Sequence, residues 1–477
     1  MLSHFNHHLA DASQFWAHTS TMQAFATAAS VLVIAFLFRV HQLLKAVDQL
    51  PAPPGKKWKL PPGPRGLPYL GNLFLYSKGE EAAHETAKYG EMVTTHLGSK
   101  LWIVLNSNRL AQELYAKHGK VTNGRPPMPM VNDLISQAMT KYAEYQKEES
   151  MVLLAGYLRK PQEWFAHNAR YANSVIYRIT FGEKPEAGGN SMANVTKAQF
   201  LFLLNAPPYN LWDCFPGLAD LPKFLQWWRE TYERAGKFTY DAYFAYYSPI
   251  KRNILEGKAP QSFARDILLG EARFKGSGTD KMFLTMQQVE AGSDTTRLAI
   301  NIAILAVVRW PEKFLKARAD LDQDCGADAA RLPDFGDEES LPYVNAFAKE
   351  ILRWRRIFSW TPDFDRESRI RGISENPDYF EDLLSFKPER WLDGNETDLA
   401  AGSWQFGFGG GRRLCVGYKF AQKSIFINLS RLFYCFDFEE REPFDDKSIQ
   451  HFTMGEPFPI NVRSRGAKWT ELIERAG

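Results

Sequence analysis

Phe406-Gly407-Phe408-Gly409-Gly410-Gly411-Arg412-Arg413-Leu414-Cys415-Val416-Gly417 is a glycine-rich turn that delivers one cysteine to a helix start, because the residues behind it set Ala421, Ile425, Leu429 and Leu432 on one face. A helix N-terminus carries partial positive charge and unpaired amide donors, which favour a thiolate, and glycines let a large planar group approach the backbone. Cys415 is therefore a candidate metal ligand. Two plainer readings stand beside it. A lone cysteine is more often inert core, and a glycine-rich run can cradle phosphate, although the Gly-Lys-Ser/Thr ending of a phosphate loop is missing.

The chain around this turn has 477 residues, 45% hydrophobic and 24% charged, which excludes collagen-like, wholly disordered and coiled-coil architectures. Lys plus Arg (58) nearly balance Asp plus Glu (55), so electrostatics alone gives no argument for nucleic acid as a partner. Cys214, Cys325, Cys415 and Cys435 lie far apart without a CxxC pair, which points away from a disulfide framework or structural zinc and toward a reducing compartment.

Between Asp11 and Arg39 there is no Asp, Glu, Lys or Arg, and the stretch ends in Val31-Leu32-Val33-Ile34-Ala35-Phe36-Leu37-Phe38. Residues 21–38 are just long enough to span a bilayer. A cleaved signal peptide would have a basic flank before the apolar run and small residues after it; here Arg39, Val40 and His41 follow. Arg39, Lys45, Lys56, Lys57 and Lys59 come after the span and no cation precedes it, so residues 1–20 are expected in the lumen and the body in the cytosol. Residues 39–68 form a basic, Pro-rich hinge, and 69–477 read as one domain without repeats.

Met92–Leu97 and Leu101–Leu105 read as strands joined at Gly98-Ser99-Lys100. The pattern then turns helical, over Asn108–His118, Met139–Ala155, Leu221–Glu256, Asp280–Val308, Glu312–Cys325 and Leu341–Arg356. Within Leu341–Arg356, Glu350 and Arg353 are three apart and share a face, by themselves an ordinary surface salt bridge. Within Asp280–Val308, Ala291-Gly292-Ser293-Asp294-Thr295-Thr296 combines poor helix formers with hydroxyls able to bond back to the preceding turn, which predicts a local distortion in a core helix.

Phe408, Gly411, Arg413, Cys415 and Gly417 match the FxxGxRxCxG signature of the cytochrome P-450 haem-thiolate monooxygenases, and the chain resembles that family over almost its whole length. The resemblance implies a mainly α fold with small β-sheets behind an N-terminal transmembrane helix. It implies haem b as cofactor, with Cys415 as axial iron ligand, Arg413 meeting a propionate, Phe408 packing near the sulfur, and Gly411 and Gly417 shaping the loop. Phe386-Lys387-Pro388-Glu389-Arg390-Trp391 resembles the family's PERF-type segment, so Glu350, Arg353 and Arg390 are expected to close a buried ion triad holding the ligand loop. Ala291–Thr296 resembles the oxygen-binding groove AGxDTT, in which Gly292 makes room for O₂ while Asp294 and Thr295 carry protons toward it.

The anchor, basic flank and Leu60-Pro61-Pro62-Gly63-Pro64 hinge are similar to those of microsomal members. They imply a single-pass protein of the endoplasmic reticulum membrane, fed with electrons from NADPH by a cytochrome P-450 reductase and oxidising a small apolar substrate. Arg412, Lys419 and Lys423 suit an acidic redox partner, though each alone is an ordinary solvated charge. Asn123-Gly124-Arg125-Pro126-Pro127 and Glu290–Arg297 resemble filamentous-fungal enzymes of secondary metabolism. Two family segments are missing. No WxxxR helix precedes Ala138-Met139-Thr140, and Ile357–Arg371 is too brief for the strands that line the substrate pocket. These gaps keep open a non-catalytic chain unable to hold haem. A haem-thiolate isomerase or dehydratase is a further alternative, which the intact Ala291–Thr296 segment argues against.

Overall fold

Gly278–Arg309 (helix α7) begins where Ser277 and Asp280 exchange bonds: Ser277 Oγ accepts the Asp280 amide at 3.1 Å and the Asp280 carboxylate accepts the Ser277 amide at 2.8 Å. The computed structural model describes residues 30–39, 41–42, 59–77, 86, 88–107, 109–110, 113–118, 129–184, 190–205, 215–270, 276–355, 382, 385–392, 408, 415–446 and 456–477. Leu73–Ser77 (α1) is a short helix, and around α7 stand Pro129–Arg159 (α2), Trp164–Phe181 (α3), Asn190–Asn205 (α4), Arg229–Leu255 (α5), Phe263–Leu269 (α6), Pro311–Cys325 (α8), Pro342–Trp354 (α9) and Tyr418–Cys435 (α10). Pro311 and Pro342 start their helices at the position where the missing amide is harmless. The fold is mainly α, as expected.

The sheets are small. Met92–Leu97 (β1) and Lys100–Leu105 (β2) form the expected antiparallel hairpin, and Phe436–Glu440 (β3) pairs antiparallel with Ile460–Ser464 (β4). The end of the Pro-rich hinge is laid against β1: Pro62 O accepts the Thr94 amide at 3.0 Å, and a Cβ on Gly63 would come within 1.8 Å of the Thr94 carbonyl oxygen. The hinge therefore joins the packed body earlier than residue 69.

Two hydrophobic cores flank α7. The larger gathers α2, α3, α8, α9 and α10 around its C-terminal half, where every residue from Leu298 to Val307 is at most 1% exposed. The smaller joins its N-terminal half to α3, α4 and α5. A buried polar chain ties three of the helices together: Tyr157 Oη donates to Asn168 Oδ1 and Asn168 Nδ2 donates to Asn301 Oδ1, each at 2.8 Å. At Gly182, in the left-handed region at φ 82°, α3 ends with the glycine amide on the Arg178 carbonyl.

Several boundaries differ from the sequence expectation. The helix expected over Leu221–Glu256 begins only at Arg229, because Gln226 Nε2 donates to the carbonyls of Ala219 and Leu221 and holds that segment in 3₁₀ turns. Within Asn108–His118, residues Glu113–Lys117 are a π-helical turn. Of the expected span 21–38, the described part lies in the apolar helix Ser30–Arg39. Among the described residues one helix, α7, is long and apolar enough to cross a membrane, and with 67% of that window buried it is a core helix. The shortened segment Ile357–Arg371 falls outside the described residues.

Helix α3 packs tightly on α7 at Gly292, where an added Cβ would lie 2.5 Å from Ile176 Cδ1 and 2.6 Å from Cγ1. Gly292→Ala is expected to lower the unfolding free energy by ~1–3 kcal/mol. In urea melts the double variant with Ile176→Ala should lose less than the sum of the two single losses, the sign of a relieved clash.

Candidate active site

Cys415 sits two residues before Gly417, the residue that caps the start of α10. Its amide donates to the Phe408 carbonyl at 2.7 Å and its own carbonyl accepts the Tyr418 amide at 3.3 Å, so the cysteine is fixed from both sides by backbone. Cys325 and Cys435 are buried, and burial pushes each thiol up to about 12. Cys415 is exposed. Enough of the chain surrounds its sulfur that desolvation still raises the pKa, against the Gly417 amide, whose N–H on the sulfur lowers it. Phe408 packs partly buried on the main core, with its ring 6.5 Å from that of Tyr418. Gly411 and Arg413 lie outside the described residues.

The expected triad is assembled. Glu350, 0% exposed on α9, receives a guanidinium fork from Arg353, with Nε on Oε2 at 2.9 Å and an Nη on Oε1 at 2.8 Å. Arg390 Nε reaches Oε1 at 3.2 Å. Sequence reasoning missed two further donors: the Lys387 amide on Oε1 at 2.9 Å and Trp391 Nε1 on Oε2 at 2.8 Å. Both belong to the segment quoted for its arginine, and an indole N–H beside a buried carboxylate was the available signal. Beside this cluster, burial opposes ionisation of Glu389, but Lys316, Lys313 and Tyr343 outweigh it and hold the carboxyl at about 2.

On α7, Thr295 Oγ1 donates to the Ala291 carbonyl at 2.7 Å and Ser293 Oγ to the Glu290 carbonyl at 3.3 Å, the back-bonding the hydroxyl-rich stretch predicted. Asp294 is exposed and pairs with Arg297 at 3.0 Å. Gly292 turns its Cβ position toward Ile176, so helix packing alone already demands a glycine there. Glu290, quoted in the sequence motif but given no role, has a buried Oε1 without a hydrogen-bond partner, and burial pushes its pKa up to about 7.

The donor set favours one metal chemistry over another. Cys415 is the accessible thiol among the described cysteines, and the described cluster with metal-ligand spacing, Asp324, Cys325 and Asp337, is already occupied by Arg331, which pairs with both carboxylates at 2.6 Å. A tetrahedral zinc site needs several such ligands together. One accessible cysteine whose sulfur accepts a backbone amide would suit a metal group that takes a single thiolate from the protein, as haem iron does.

Removing the charge of Glu350 leaves two arginines facing a neutral amide in the interior. Glu350→Gln should lower the unfolding free energy by ~3–5 kcal/mol in urea melts, and Glu350→Asp, which keeps the charge, by less. For Glu290 the folded pKa of about 7 lies above the ordinary carboxyl value of 4.5, so its contribution to stability is complete below pH 4.5 and is lost as pH rises through 7. Glu290→Gln removes that dependence; between pH 5 and pH 8 its unfolding free energy in urea melts should fall less than that of the parent chain, by up to ~3 kcal/mol.

Comparison with known proteins agrees with this geometry. Residues 61–151, 154–362 and 369–460 match the sequence profile of the family Cytochrome P450. The chain is 29% identical to the cytochrome P450 monooxygenase verL of Clonostachys rogersoniana, over 87% of this chain and 89% of that protein. It is 26% identical to the cytochrome P450 monooxygenase fogE of Aspergillus ruber, over 94% of this chain and 95% of that protein. With polD of Polytolypa hystricis, another cytochrome P450 monooxygenase, it shares 26% identity over 87% and 92%. With a profile match over most of its length and the exposed cysteine and buried glutamate cluster standing where its motifs put them, the chain belongs to the cytochrome P450 family.

Proposed function

We propose that the chain is a membrane-anchored haem-thiolate monooxygenase that inserts one atom of O₂ into a small, largely apolar molecule, in the secondary metabolism of a fungus. The observation that carries the reading is the exposed Cys415, held by the Phe408 carbonyl and the Gly417 amide at the head of a buried helix, in a chain whose relatives are named monooxygenases. Haem bound through such a thiolate supplies the capacity to activate O₂ with electrons delivered one at a time. Everything else falls to the chain. Cys415 would provide the sulfur with Phe408 beside it, Gly411 and Gly417 would leave room for the group, and Arg413 would pair with a propionate.

Asp294 and Thr295 move protons. The Thr295 hydroxyl, resting on the Ala291 carbonyl, turns to donate toward bound oxygen, and Asp294 restores its proton from the accessible side of α7. Glu350, Arg353 and Arg390 position the cysteine loop and touch no reacting atom. Electrons come from NADPH through a cytochrome P-450 reductase docking on the face that carries Lys419 and Lys423. Residues 21–38 anchor the chain in the endoplasmic reticulum membrane with residues 69–477 in the cytosol, a reading supported by the apolar run and the cations behind it. The hydroxyl-bearing stretch of α7 speaks against an isomerase or dehydratase.

The test is spectroscopic and isotopic. Reduced membranes carrying the full chain should give a strongly red-shifted Soret band with carbon monoxide, absent in Cys415→Ser. Product formed under ¹⁸O₂ should carry one labelled atom; an unlabelled product overturns the monooxygenase.

A further inference from the structure

The hairpin β1–β2 is finished on one side only. Its turn at Gly98-Ser99 makes Leu97 and Lys100 the closing pair, so in the pairs Thr94–Ile103 and His96–Leu101 the backbone groups turn away from each other. On the β1 side those groups are taken. The Thr94 amide donates to Pro62 O at 3.0 Å, the His96 amide to Asn72 Oδ1 at 3.0 Å, and His96 O accepts the Asn72 amide at 2.6 Å. On the β2 side the same alternation points the amides and carbonyls of Leu101, Ile103 and Leu105 outward, and among the described residues they have no hydrogen-bond partner.

Burial shows the same asymmetry. Four of the six residues of β1 are buried and none of β2, where Ile103 is 39% exposed. Open edges are ordinarily blunted by charge or proline. The other sheet follows that rule, with Asp437, Glu439 and Glu440 on β3 and Arg463 on β4, whereas Lys100-Leu101-Trp102-Ile103-Val104-Leu105 has its single charge at the very start. A hairpin of two strands is also marginal by itself and gains from further strands.

We propose that β2 is a docking edge for a second copy of this chain, the two β2 strands pairing antiparallel about a two-fold axis at Ile103 into a four-stranded sheet. In that register Ile103 meets the partner's Ile103 and Leu101 meets the partner's Leu105, so outward-facing residues pair with one another and each pair exchanges both its bonds. Trp102 comes opposite the partner's Val104, a favourable aromatic and β-branched pair, and Lys100 opposite the partner's Asn106, so no like charges face each other. Because Pro62 and Asn72 close the other edge, each copy offers one open strand and assembly stops at the dimer. The chain's own segment Ile357–Arg371 is a poor rival for the edge, since its sequence carries Pro362 and charges at Asp363, Asp365, Arg366, Glu367, Arg369 and Arg371.

Sedimentation velocity on the detergent-solubilised full chain gives the dimer dissociation constant for the parent, Ile103→Pro, Ile103→Lys and Ile103→Glu. Proline at 103 removes only an outward N–H and spares the bonds to β1. The parent should dimerise. Each variant alone should raise the dissociation constant about tenfold or more, by lost hydrogen bonds in the first and by like charges meeting on the axis in the other two. Mixing Ile103→Lys with Ile103→Glu should restore a dimer, a recovery that a disordered hairpin would not show. A monomeric parent, the result if the chain's own residues cover the edge, overturns the proposal. So does a parent dimer untouched by the three substitutions, and so does weakening without recovery on mixing. Circular dichroism of each preparation reports separately that the body is folded.

Discussion

A carboxylate taken wholly out of water at Glu350 is the constraint around which α9 and the segment around Pro388 are arranged. The desolvation of such a group is offset only when its lone pairs are filled, and here Oε1 accepts from Arg353, Lys387 and Arg390 while Oε2 accepts from Arg353 and Trp391. The donors come from two places in the chain, α9 and the segment around Pro388, more than thirty residues apart. One buried charge therefore joins segments that hydrophobic contact alone would leave free to slide. Arg353 also holds the Ser385 carbonyl at 3.1 Å, so the fork that satisfies the glutamate fixes the backbone entering the second segment. Fork geometry makes this an arginine's task, which a lysine could not perform.

The elements near the thiol follow a similar logic of backbone restraint. The sulfur is accessible where the other described cysteines are not, yet the residue that bears it is held on both sides by main-chain bonds. An accessible ligand on a fixed backbone is the combination a preorganised metal site requires.

Much of this was legible in the sequence because it is periodic or because it is spelled in glycine and cysteine. The β1–β2 hairpin, the long helix α7 and the spacing of Glu350 from Arg353 follow from alternation and helical period alone. What escaped depended on side chains reaching across the chain. Gln226, capping two carbonyls of the preceding turn, delayed the start of α5 by several residues, and no local pattern announces such a bond. The close packing of Ile176 on Gly292 is a meeting of two helices more than a hundred residues apart, invisible to any window of sequence. Trp391 looked like one more aromatic until the structure set its N–H on Glu350.

Helix α10 passes from Cys435 directly into β3 at Phe436 without an intervening loop. Its other end begins three residues after the thiol, so the helix is a rigid strut of about 27 Å between Cys415 and the C-terminal sheet. A strut clamped at both ends transmits displacement and does not absorb it. Loosening β4 from β3, at the other end of this helix, would therefore be felt at the sulfur as a displacement. The C-terminal strands are in this sense mechanically coupled to Cys415.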